Sequence, residues 1–159
     1  MVVMLVVLVA LGTIAGLTVI SVQGGAAQAS AQRFSSMALY AAESGAAAAM
    51  SWLRTQHGAS DRFTRVLGTT PADLPGNGVQ PRAPGNLLSE DQQGWYQVTL
   101  LNNPGDPGVA TNTDTDSTVI IQATGHGPNG AMRRLEWEVR WDETATVTAL
   151  RLVGWRDVF

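Results

Sequence analysis

The run MVVMLVVLVALGTIAGLTVISV is uncharged from Met1 to Val22, and the first charged side chain in the chain is Arg33. As a helix rising about 1.5 Å per residue it spans roughly 33 Å, enough to cross the hydrocarbon of a bilayer. Residues 1–25 therefore read as a transmembrane helix. A secretory signal would set a basic region ahead of a shorter apolar centre, and no Lys or Arg precedes this run. Met1 is then either not where translation began or follows a basic leader left out of the chain.

From Ala26 to His57 the chain holds no Pro and is dominated by Ala, the strongest helix former. Residues 26–58 are predicted to continue the helix as an amphipathic half. Phe34, Met37, Tyr40 or Ala41, Ser44, Ala48 and Trp52 recur three or four apart and predict its larger-residue stripe. Gly58 is placed to cap the end, and Gly24-Gly25 predicts a local loosening between the two halves.

Residues 59–93 are irregular, with Pro71, Pro75, Pro81 and Pro84 among several glycines, and read as a long surface loop with one short helical turn in DRFTRVL. The period then changes to two. GWYQVTLLN and STVIIQATG alternate, and in MRRLEWEVRW the residues Leu135, Trp137, Val139 and Trp141 face one way while Glu136, Glu138 and Arg140 face the other. GHGPNGA supplies Pro, Asn and Gly for a turn, so the last two runs should pair as an antiparallel hairpin. TATVTALRLVGWRDVF offers a fourth strand. Residues 94–159 thus form an antiparallel sheet head, and the fold class is α+β: one long N-terminal helix on a sheet of about four strands.

Length and charge narrow the function. A chain of 159 residues buries one conventional core at most. A net charge of −3, with ten scattered Arg and no Lys, argues against nucleic-acid binding, which needs a concentrated basic surface. Cysteine is absent, so disulfides and thiolate metal sites are excluded. A charged fraction of 14% is low for a free domain and suits a surface partly covered by lipid or by neighbouring subunits.

Candidate chemistry is sparse. Gly12-x-x-x-Gly16 offers a close helix–helix approach, as small residues at this spacing do. Arg33, Glu43 and Arg54 fall near one helix face, and Glu43 on so apolar a helix suggests an ion pair with a neighbouring copy; a solvated stripe, or a contact to its own sheet, is the alternative. Asp106, Asn112, Asp114 and Asp116 resemble an oxygen-ligand calcium loop but lack the glycine and distal Glu of an EF-hand, and polar turn chemistry accounts for the same residues. His57 and His126 stand in no Ser/His/Asp or His/Glu cluster, so no catalytic site and no other cofactor is proposed. Trp52, Trp95, Trp137, Trp141 and Trp155 are expected to pack helix against sheet.

An uncharged N-terminal helix running into an amphipathic half and then a small antiparallel sheet resembles a type IV pilin. LYAAESGAAAAMSWLR, which contains Glu43 and Gly45, IIQATGHGPNGAMRRLEWEV and the ending VGWRDVF resemble, in that order, PilX-type minor pilins and related pilus-assembly proteins. The resemblance implies cleavage of a basic leader by a prepilin peptidase and N-methylation at Met1. It implies a single-pass inner-membrane state before assembly, an inner-membrane assembly platform, and an extracellular filament afterwards. Other pilin subunits, and a large tip adhesin, are the partners it implies. Most pilins carry Glu at the fifth position; here it is Leu5. That departure favours a minor, initiating or tip-proximal subunit. A major subunit of an atypical pilus, a type II secretion pseudopilin and a non-polymerising membrane-anchored binding domain are the alternatives.

Overall fold

The computed structural model describes residues 2–69, 71–77, 86–88, 93–144 and 149–158, without the side chains of residues 2, 3, 5–10, 14 and 16. Among the described residues an α-helix, α1 (Val2–Leu53), is followed by four strands: β1 (Trp95–Asn102), β2 (Thr118–His126), β3 (Met132–Trp141) and β4 (Leu150–Val158). The strands form one antiparallel sheet in the order β1-β2-β3-β4, an α+β arrangement with the helix packed on the sheet. The chain divides into two compact units, Met1–Phe34 and Ser35–Phe159, and α1 contributes to both.

In the second unit, period-two burial sets the faces of the sheet. Tyr96, Val98 and Leu100 of β1 lie opposite Gly125, Ala123 and Ile121 of β2, and Ala123, Ile121 and Val119 lie opposite Leu135, Trp137 and Val139 of β3. All but Trp137 are buried, and Trp137 packs against this core partly buried. The β2–β3 turn is built on Pro128–Gly130, with Asn129 and Gly130 in the left-handed region and Gly127 N–H donating to Ala131 O at 2.7 Å. In β4, Glu138 pairs with Gly154 and Val139 with Leu152, so Val153 is the extra residue of a bulge.

The helix face that meets the sheet takes only part of the expected stripe: Ala41 is buried and Ala48 and Trp52 pack partly buried against the core, whereas Tyr40 points away. Ala38, Ala41, Ala42, Ala46, Ala49 and Leu53 are the fully buried positions, while Tyr40 is 60% exposed. The reason is close approach. A Cβ placed on Gly125 of β2 would lie 1.9 Å from Ala38 O and 2.4 Å from Ala42 N, so the helix backbone rests on the sheet with room only for small residues.

Other expectations are corrected as well. The helix ends at Leu53, before Gly58, because Gly58 instead exchanges backbone hydrogen bonds with Arg62 in a tight loop. Gly24-Gly25 lies within unbroken helix. The segment after the helix is more than a surface loop: Phe63, Val66, Leu67 and Leu74 are buried in the main core. Trp155 is 69% exposed and is no core residue.

The expected single-pass membrane segment over residues 1–25, and the inner-membrane localisation drawn from it, are overturned. Among the described residues no helix is long and apolar enough to cross a membrane. From Leu11 onward α1 is diluted by Gly12, Thr13, Thr18, Ser21, Gln23, Gly24 and Gly25, residues that carry little transfer free energy into hydrocarbon.

Candidate functional site

The loop from β1 to β2 is organised by carboxylates. Asn102 at the end of β1 is buried and donates Nδ2–H to Thr113 O at 2.9 Å, while its Oδ1 accepts Asn103 N–H at 3.0 Å. Asp106, also buried, uses Oδ1 to accept Gly108 N–H at 2.6 Å and the Thr115 hydroxyl at 2.7 Å, and Oδ2 to accept Thr115 N–H at 2.7 Å. Burial opposes its ionisation, but the hydrogen bonds from Thr115, Gly108 and Asn102 outweigh it and hold the carboxyl below its ordinary range.

Asp114 links this loop to the chain beyond α1. Its Oδ1 accepts N–H groups from Asp116 at 3.2 Å and Ser117 at 2.8 Å, and its Oδ2 accepts Phe63 N–H at 3.0 Å. Its own N–H donates to Thr64 Oγ1 at 3.0 Å. Asp116 Oδ1 accepts Thr118 N–H at 3.0 Å, and Asp116 Oδ2 accepts Asn103 Nδ2–H at 2.9 Å. One carboxylate oxygen from each of Asp106, Asp114 and Asp116 lies within 4.8 Å of the others.

Three of the four residues that suggested a calcium loop are thus brought together. Asn112 is not: it adopts a left-handed conformation and sets its amide against Gly68, where a built Cβ would meet Asn112 Nδ2 at 2.5 Å. Asn103 was not singled out by the sequence. The Asn102-Asn103 pair at the end of a strand is the only signal that points to it, and its role depends on burial that spacing does not reveal.

The residues expected to serve filament assembly are dispersed. Met1, Leu5 and Gly16 fall outside the described side chains. Gly12 is exposed, and among the described residues a Cβ built on it meets nothing within 4 Å. Arg33, Glu43 and Arg54 are exposed and form no salt bridge among the described residues; Arg54 lies in the turn after α1. Gly45 is an internal contact: a Cβ there would come within 2.7 Å of the Tyr96 ring.

Two further polar arrangements lie on the sheet. Glu136, opposite Arg156 across the β3–β4 ladder, accepts from Gln122 Nε2 at 2.9 Å on Oε1 and forms a salt bridge with Arg156 through Oε2. Burial opposes its ionisation, yet the bonds from Gln122 and Arg156, with the charges of Arg156 and Arg134, hold the carboxyl below its usual value. His57 stacks on Trp141 at 4.3 Å and His126 on Trp95 at 3.9 Å, and burial lowers the pKa of both imidazoles.

Comparison with known proteins finds no matching family model, no matching curated protein and no matching solved structure.

Proposed function

We propose that the chain is a structural subunit of a type IV pilus-like filament, of the minor, initiating or tip-proximal kind, held to its neighbours by the first half of α1. The observation that carries this reading is in the first unit. Met4, Leu11, Leu17, Val19, Ile20 and Val22 are each more than half exposed. Large exposed apolar surface marks an interaction site. Covering it with copies of itself stabilises assembly by about 25 cal/mol per Å² of apolar surface removed from water.

Gly12 supports the same reading, since a Cβ built on it meets nothing within 4 Å among the described residues and a neighbouring helix backbone can approach there. Leu5 supports a minor or tip-proximal place through the resemblance to pilins, whose usual Glu at that position is absent.

The test is co-purification and polymer formation. The chain is expected in fibres prepared from the producing cells, and a double substitution Leu17→Arg and Ile20→Arg is expected to remove it from them while the sheet unit keeps its melting temperature. A chain that stays monomeric at high concentration and is absent from such fibres would overturn the reading.

A further inference from the structure

We infer that Asp106, Asp114, Asp116 and Asn103 form a calcium site that locks the β1–β2 loop to the segment following α1. This inference does not rest on the filament reading. Its first basis is the cluster itself: three carboxylates with oxygens within 4.8 Å of one another, and among the described residues no Arg or His in a salt bridge with any of them. Like charges so close repel unless a counter-charge lies between them. Ca²⁺ takes oxygen ligands at about 2.3–2.6 Å, so carboxylate oxygens this close together can share one ion.

The second basis is Asn103. It is 8% exposed, its Oδ1 is buried from solvent, and among the described residues that oxygen accepts no hydrogen bond. The amide is held against the cluster by its other end, because Nδ2 donates to Asp116 Oδ2. A buried carbonyl oxygen without a donor is costly to leave unsatisfied, and a hard cation held by the adjacent carboxylates satisfies it.

Lone-pair capacity fits. Asp114 Oδ2 and both oxygens of Asp116 each accept a single N–H, which leaves each with a lone pair to give. With Asn103 Oδ1 the protein presents an all-oxygen set, and water completes the six to eight ligands that Ca²⁺ takes. The absence of His and Cys from the set disfavours zinc and softer metals. Asp114 also binds Phe63 N–H and Thr64 Oγ1, so an ion at this point fastens two stretches of chain far apart in sequence.

The experiment uses the full chain, stripped with chelator, in calorimetric titration and thermal melts with CaCl₂ and with MgCl₂. Saturable binding of one Ca²⁺ is expected, with a melting temperature about 5 °C or more higher at about 100 times the dissociation constant, and a smaller rise with Mg²⁺. Asp116→Asn keeps an acceptor for Thr118 N–H, and Asn103→Leu removes the orphaned oxygen. Both are expected to melt near the wild-type temperature in chelator and to bind Ca²⁺ at least about tenfold more weakly. No binding and no change in melting temperature at about 10 mM Ca²⁺, or undiminished affinity in both variants, would overturn the site.

Discussion

Gly125 of β2 abuts the backbone of α1 at Ala38: a Cβ on the glycine would stand 1.9 Å from the Ala38 carbonyl oxygen. What blocks a side chain there is main chain, which cannot swing aside. Gly125→Ala is therefore expected to cost at least about 3 kcal/mol in urea unfolding, the upper end of overpacking effects. Gly45→Ala, which meets the Tyr96 ring at 2.7 Å, is expected to cost about 1–3 kcal/mol. Gly24→Ala, with open space around it, is expected instead to raise helix content by circular dichroism, in line with a propensity gain of about 1 kcal/mol.

Phe63 is fully buried, with its ring edge-on to His57 at 5.1 Å and to Trp141 at 6.4 Å. Phe63→Ala is expected to destabilise the sheet unit by about 3–5 kcal/mol. Loss of less than about 1 kcal/mol would mean that the segment after α1 contributes little to the core.

Acid stability should depend on Glu136. Its carboxyl is depressed in the folded protein, so the folded state binds fewer protons than the unfolded chain once the pH nears the ordinary Glu range. The stabilisation is complete above that range and is lost as pH falls through the folded value. Chemical denaturation from pH 6 to pH 2 should show this loss in the wild type and a flatter profile in Glu136→Gln.

The two histidines act at higher pH with the same sign. Burial lowers the pKa of both, so protons bind the unfolded chain first as pH drops below about 6.5. Stability is expected to decline from about pH 7 to pH 5, and His57→Phe, which keeps an aromatic ring against Trp141, should reduce the slope. Imidazole proton shifts measured by NMR should give midpoints below the free value for both residues.

The strands were legible because Tyr96, Val98 and Leu100, then Val119, Ile121 and Ala123, then Leu135 and Val139 fall two or four apart and are buried, on a sheet whose order follows the chain. The helix was legible from its lack of Pro and its wealth of Ala. Its buried face was legible only in part: Ala41, Ala48 and Trp52 of the expected stripe reach the core, whereas the choice of Ala38 and Ala42 is dictated by Gly125 on a distant strand. The carboxylates of the acidic loop could be read from their spacing. Asn103 could not, since its orphaned oxygen exists only once β1 has ended and the loop has closed over it.

The sequential order of the sheet bears on how the protein is made. Each strand pairs with its chain neighbour, so the sheet is built from short loop closures, which fold quickly. The Ala face of α1 has a different history: it leaves the ribosome early, yet its seat on Gly125 does not exist until β2 has been synthesised. The nascent helix must wait uncovered through the whole intervening stretch, and the emergence of β2 sets the earliest moment at which the native core can close.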